Sequence, residues 1–145
     1  MTSEMIDLLN KLNYKGYKRI VIINAEDEFL KNVSVVLKDI IIDTKIDQRC
    51  PYNFMIIFVR KVKEVENISP LALHNLTADG VLWFCYPKKT SKKLSSDLER
   101  DKGWKSLNDM GFYGVRMVTI DEDLSAMRFR NIKYIKSASG RYPAH

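Results

Sequence analysis

The chain has 145 residues, with 24 lysines and arginines against 18 aspartates and glutamates, so its formal net charge is +6. This length suits one compact domain, and 46% hydrophobic residues indicate a globular protein rather than a disordered chain. No apolar stretch reaches the ~20 residues of a membrane span. Two cysteines, Cys50 and Cys85, have neither disulfide-framework nor metal-ligand spacing, which favours a reducing cytoplasm. The positive charge permits attraction to polyanions but does not establish nucleic-acid binding.

The first half of the chain alternates helical and strand patterns. Its N-terminus carries charges among its apolar positions, which predicts a short amphipathic helix rather than a signal peptide. The β-branched run Arg19–Asn24 predicts a buried strand, after which Asn24 is expected to cap a helix with an acidic first turn. Further strands are predicted over residues 40–46 and Asn53–Arg60, and Ser69-Pro70 has the pattern of a helix start.

The second half contains an unbroken apolar run, Val81–Tyr86, between Asp79-Gly80 and a lysine-rich segment. Such a run is typical of a strand buried on both faces in the middle of a parallel sheet. A short helix is then predicted over 102–110, ended by Gly111. Strands at 113–121 and 127–136 follow, and their connection is too short for a helical crossover. We therefore expect them to form an antiparallel hairpin at a sheet edge.

Strands separated by helices imply right-handed βαβ units. The prediction is a three-layer, Rossmann-like α/β fold whose mostly parallel sheet ends in a C-terminal antiparallel hairpin. Residues 1–136 are expected to form one domain and residues 137–145 a loose tail. Because parallel strands place their carboxyl ends together, a ligand crevice is expected at that edge. Lys88, Lys89 and Lys92 should be exposed there, beside Asn24 and Asp121.

Several residues near this edge are candidates for holding an anion or another ligand. They are Lys88, Lys89, Lys92, Arg100, Asp121 and Arg128. The alternative for the basic residues is an ordinary solvated surface. Three acids at 121–123 could hold a cation or act as a base, or could form a turn with Asx-type hydrogen bonds. Trp104 could stack on a ligand or anchor the core.

No catalytic or metal-binding motif is recognisable in the sequence. His74 and His145 stand beside no nucleophile motif, and no His/Cys cluster indicates zinc. No catalytic residue and no metal ligand is therefore predicted.

The segment Leu76–Trp83, LTADGVLW, is similar to the L-x-P-G-G-x-L-W-like segment of class I methyltransferases, and 115–130 fits their terminal hairpin. In that family a Gly-rich loop after the first strand holds S-adenosylmethionine. The resemblance implies that Asn24 and Asp43, at the ends of the first two strands, would contact this cofactor. However, the chain has no glycine between Gly16 and Gly80, and such sites use glycines for close backbone approach.

A closer resemblance is to a family of small, uncharacterised bacterial proteins. It rests on GVLWFCYPKK, on S-D-L-x-R-D at 96–101 and on D-x-x-x-S-A-x-R-F at 121–129, and it extends from Leu12 to Asn131. That resemblance implies a reduced methyltransferase-like fold and no settled activity.

Two functional hypotheses follow. The first is a noncatalytic cytoplasmic protein that needs no cofactor and binds a protein partner or an anionic ligand at the carboxyl edge of its sheet. The second is a divergent S-adenosylmethionine-dependent methyltransferase, suggested by the strand order and by the LTADGVLW segment.

Overall fold

The computed structural model describes residues 2–135 of the chain. Helices and strands alternate as the sequence predicts. The order is α1 (Thr2–Lys11), β1 (Arg19–Ile23), α2 (Asp27–Val36), β2 (Ile41–Asp43), β3 (Tyr52–Phe58), α3 (Val62–Asn75), β4 (Leu76–Pro87), α4 (Lys105–Asp109), β5 (Phe112–Thr119) and β6 (Leu124–Asn131), and a 3-10 turn at Ile132–Tyr134. Within this part of the chain, no helix has both the length and the apolar character needed to cross a membrane.

The six strands form one sheet in the order β2-β1-β3-β4-β6-β5. β2, β1, β3 and β4 run parallel, whereas β6 pairs antiparallel with both β4 and β5. The mostly parallel sheet with a C-terminal antiparallel hairpin is therefore confirmed. β6 returns between β4 and β5, so the first strand of the hairpin forms the sheet edge and Val81–Tyr86 is interior.

The sheet is covered on both faces, which is why most side chains of its central strands are apolar. On one face α3 and α4 bury a cluster that includes Met55, Phe84 and Trp104. On the other, α1 and α2 bury a second cluster around Ile56 and Trp83. The three-layer prediction is confirmed.

The helix boundaries differ from the sequence predictions at α2, α3 and α4, and the last of these begins at Lys105 rather than at 102. Asn24 does not cap α2, because the helix begins after Glu26, and Glu26 makes no side-chain capping bond. Ser69-Pro70 does not start a helix but lies inside α3, where Ser69 Oγ donates a hydrogen bond to the Val65 carbonyl at 2.6 Å. α3 begins at Val62 instead. Glu64 stabilises this start, because its Oε1 accepts hydrogen bonds from the Arg60 and Lys61 amides at 2.7 and 2.9 Å. These local contacts override the Ser-Pro signal.

The strand boundaries also differ. β2 is only three residues long, and β6 ends at Asn131. Asp79-Gly80 is not a turn but lies within β4, where Asp79 has a φ of 53°. Arg130 donates two hydrogen bonds, of 2.7 and 2.6 Å, to the Asp79 carboxylate. These bonds stabilise the left-handed backbone of Asp79 within the strand. The predicted loose tail at 137–145 lies outside the described residues.

Candidate functional site at the carboxyl edge of the sheet

The strand order reverses direction at β1. The chain passes from β1 to β2 on one side, then crosses to β3 on the other side of β1. In open α/β sheets the ligand crevice lies outside the carboxyl ends of the strands at such a reversal. Asn24 follows β1 at this point, and its Nδ2 donates to the Phe58 carbonyl at the end of β3, at 3.3 Å. The candidate crevice therefore lies between the chain after β1 and the chain after β3.

Asn24 adopts a left-handed backbone conformation with a φ of 61°. Glycine usually takes this conformation, and asparagine is among the few other residues that tolerate it. The lack of glycine therefore does not prevent a tight turn after β1, although Asn24 keeps the Cβ that glycine lacks. An asparagine directly after a buried strand was the signal available for this turn.

The loop after β1 and the start of α2 are acidic and exposed. Glu26, Asp27 and Glu28 are all solvent-exposed, as is Asn24. The positive end of the α2 dipole lies beside these carboxylates and stabilises their charge. This surface repels phosphate groups and attracts cationic ones.

The lysine-rich segment begins at the same edge. The Val59 amide donates to the Cys85 carbonyl at 2.9 Å, so the ends of β3 and β4 are adjacent. The Lys88 amide donates to the Asp123 carbonyl at 2.7 Å, which places Lys88 beside the turn that contains Asp121. The predicted shared edge is confirmed. Lys89 and Lys92 are exposed as expected, whereas Lys88 is half-buried because it packs against this turn.

The acidic turn at 121–123 is stabilised by its own hydrogen bonds. Asp121 Oδ1 accepts from the amides of Asp123 and Leu124, both at 2.8 Å, and this is the Asx-type arrangement. The Asp123 carboxylate accepts from Ser91 Oγ at 2.8 Å. Within residues 2–135, no group of histidines, cysteines and acids is arranged to hold a metal ion.

The segment after the lysines folds back over the start of α3. Asp97 Oδ1 accepts from the Val62 amide at 2.7 Å, and Ser96 Oγ donates to the Arg60 carbonyl at 2.7 Å. A carboxylate at a helix N-terminus satisfies free amides and the helix dipole. Asp97 thus occupies the place where a ligand phosphate would bind α3.

Trp104 fixes this segment to the sheet. Trp104 is only 4% exposed. The centroid of its ring lies 4.9 Å from the ring centroid of Phe129 and 5.3 Å from that of Tyr86. Trp104 Nε1 donates to the Glu99 carbonyl at 2.7 Å. Trp104 is therefore a core anchor rather than an exposed stacking surface.

Arg100 is exposed and pairs with Asp101 at 3.5 Å, a contact that contributes little to stability.

Asp43, the other residue implied by the methyltransferase resemblance, makes contacts away from Asn24. Its carboxylate accepts from Arg19 Nε at 2.7 Å and from the Tyr52 hydroxyl at 2.5 Å. The Arg19 hydrogen bond holds the pKa of Asp43 below its ordinary value, and burial raises the pKa of Tyr52 to about 12. Asp43 is level with Val21, so it lies about 10 Å along the sheet before Asn24. The contacts of Asp43 tie β1, β2 and β3 together.

Arg128 is also separated from the lysine-rich segment. It lies within β6, opposite Trp83 of β4, in the middle of the sheet. Of the predicted anion-binding residues, the structure therefore brings together Lys88 and Asp121 but places Arg128 elsewhere. Their ligand roles stay predictions.

Comparison with solved structures shows the fold of class I S-adenosylmethionine-dependent methyltransferases. A putative type 11 methyltransferase from Sulfolobus solfataricus matches with a TM-score of 0.53 and 12% identity, over 97% of this chain and 96% of that one. The N-methyltransferase NodS from Bradyrhizobium japonicum WM9 with S-adenosyl-L-homocysteine matches at 0.56 and 11%, over 89% and 85%. PigF with SAH matches at 0.60 and 8%, over 88% and 61%.

No protein-family model and no curated protein matches the chain. At the identities just given, the structural matches show the fold alone.

Proposed function

We propose that the chain binds S-adenosylmethionine in the crevice between the ends of β1 and β3, and acts as a divergent methyltransferase. The observation that carries this proposal is the left-handed turn of Asn24 at the reversal of the strand order. This turn gives the backbone the tight path after β1 that a cofactor loop requires, without a glycine. The proteins of similar fold that were solved with S-adenosyl-L-homocysteine support the choice of ligand.

The charge of the crevice favours the same ligand over a dinucleotide. S-adenosylmethionine carries a positive sulfonium, a positive ammonium and one negative carboxylate group and is therefore a net cation, whereas a dinucleotide carries a negative pyrophosphate. The exposed acids Glu26, Asp27 and Glu28 attract the former and repel the latter. The backbone of Asn24 and Ala25 and the carboxylate of Glu26 would hold the cofactor. When bound, the cofactor supplies an activated methyl group, and the residues of the chain bind and orient it.

The first test is thermal unfolding with S-adenosylmethionine and S-adenosyl-L-homocysteine. Because a ligand of the native state stabilises it by mass action, we expect about 2.7 kcal/mol at a hundredfold excess over the dissociation constant. Asn24→Gly should keep this response, since glycine adopts the same turn. Asn24→Val should lose most of it, because a β-branched side chain strains a left-handed backbone by about 1–2 kcal/mol.

Asn24→Gly is the matched control, because it also removes the side-chain bond to the Phe58 carbonyl. The proposal is contradicted if neither compound raises the unfolding temperature at millimolar concentration. It is also contradicted if wild type, Asn24→Gly and Asn24→Val respond equally.

A second candidate function is noncatalytic binding of a polyanion by the lysine-rich segment. The observation that favours it is the exposure of Lys89, Lys92 and Lys93 in the segment that begins beside the acidic turn. Each lysine that contacts a phosphate or sulfate releases counterions, so such binding weakens as salt rises.

Heparin affinity chromatography tests this second candidate. The variant with Lys89, Lys92 and Lys93 replaced by alanine should elute at lower salt, with stability nearly unchanged because the side chains are exposed. A matched control replaces the exposed Lys15, Lys31 and Lys38, which removes the same charge elsewhere. Equal elution of the two triple variants would mean that net charge, rather than this segment, holds heparin.

A further inference from the structure

Two arginines stand directly opposite each other on neighbouring strands. Arg116 of β5 pairs in register with Arg128 of β6. Like charges at directly opposed positions of an antiparallel pair repel each other. Such a pair destabilises the pairing of the two strands unless an opposite charge compensates it.

A β-bulge creates this pairing. Gly114 lies opposite Phe129, and the register then shifts so that Arg116, rather than Val115, faces Arg128. Bulges re-aim a side chain to the other face of a sheet and are frequent beside functional sites. The irregularity therefore adds a second arginine to the face that already carries Arg128.

The guanidinium of Arg128 lacks a full set of partners. Its Nε is buried and makes no hydrogen bond within the part of the chain that the structure describes, although the residue as a whole is only half-buried. Burial, followed by repulsion from Arg130, holds the pKa of Arg128 below its ordinary value. A buried donor without a partner destabilises the fold unless a ligand or water satisfies it.

The neighbouring acid is already engaged. Asp79 holds Arg130 through two hydrogen bonds, and the side chains of this pair are about one third exposed, at 31% and 34%. Arg116 is exposed, and no ion pair of Arg116 or Arg128 is formed within residues 2–135. Asp79 also attracts Arg128, but its hydrogen bonds go to Arg130, so within residues 2–135 no acid is hydrogen-bonded to either Arg116 or Arg128.

We propose that Arg116 and Arg128 form a binding site for a phosphate group, distinct from the crevice at the carboxyl edge. Guanidinium groups match phosphate oxygens with paired hydrogen bonds, and two of them supply the charge that one phosphate needs. Bound phosphate would pair with the accessible part of the two guanidinium groups and relieve the repulsion between the strands. The phosphate belongs either to a small molecule or to a nucleic-acid backbone.

The test is isothermal titration of the whole chain with inorganic phosphate and, separately, with a single-stranded RNA oligonucleotide. The key variant is Arg116→Ala, since Arg116 is exposed and its removal relieves repulsion. We expect its affinity to fall at least about tenfold, because a charged hydrogen bond is lost, while its unfolding temperature without ligand stays equal or rises. Lys31→Ala removes one exposed charge elsewhere and is the matched control.

The two titrations distinguish the sources. Saturable binding of inorganic phosphate that depends on Arg116 assigns the site to small phosphorylated molecules. Binding of RNA alone, with the same dependence on Arg116, assigns it to a nucleic-acid backbone. The proposal is overturned if neither ligand binds, or if Arg116→Ala and Lys31→Ala weaken binding equally. Arg128→Lys, which keeps the charge but not the planar donor pair, should also bind more weakly than wild type.

Discussion

Replacing Trp104 with alanine is expected to lower the free energy of unfolding by about 3–5 kcal/mol, the usual range for a buried tryptophan. The ring packs against Phe84, Tyr86 and Phe129, and Nε1 holds the Glu99 carbonyl at 2.7 Å. Removing it leaves a cavity in the core cluster that Trp104 shares with Leu98 and Leu107. Urea denaturation followed by circular dichroism measures the loss.

Trp104→Phe is the matched control for this prediction. It keeps most of the ring packing but loses the hydrogen bond to Glu99, so we expect a smaller loss, dominated by about 1 kcal/mol for that bond. A Trp104→Ala protein as stable as Trp104→Phe would show that the ring packing does not stabilise the fold, contrary to the structure.

Gly103→Ala is expected to lower the free energy of unfolding by about 2–4 kcal/mol, through backbone strain and overpacking. Gly103 has a φ of 103°, which side-chain-bearing residues rarely adopt, and a Cβ there would overlap the buried Leu98 side chain. The same urea experiment measures the effect.

Gly111→Ala separates the two causes. Gly111 also has a positive φ, of 85°, but no atom lies within 4 Å of the position of an added Cβ. We therefore expect it to lose only about 1–2 kcal/mol, from strain alone. If the two alanine variants were equally stable, contact with Leu98 would not restrict position 103.

The central strands can be predicted from the sequence because both of their faces are buried. β1, β3 and β4 are covered by helices on both faces, so nearly every side chain is apolar and the runs are continuous. The antiparallel hairpin can be predicted because the connection between β5 and β6 is too short for a helix. The carboxyl-edge placement of Lys88 and Asp121 then followed from the parallel direction of the strands.

The remaining features depend on contacts between distant parts of the chain. Asp97 reaches Val62, which lies 35 residues earlier, and no local pattern indicates that contact. The Ser69-Pro70 signal was misleading because Glu64 fixes an earlier helix start through its own hydrogen bonds. The bulge beside Gly114 did have a signal, since an isolated glycine within a strand pattern often marks one.

The most direct measurement of cofactor binding is a titration of the isotope-labelled chain with S-adenosyl-L-homocysteine, followed by amide chemical shifts in NMR spectra. We expect saturable shifts concentrated at residues 24–28 and 59–61, on the two sides of the crevice between β1 and β3. No shifts at millimolar ligand, or shifts confined to residues 88–97 or to the surface of Arg116 and Arg128, would contradict the proposed site.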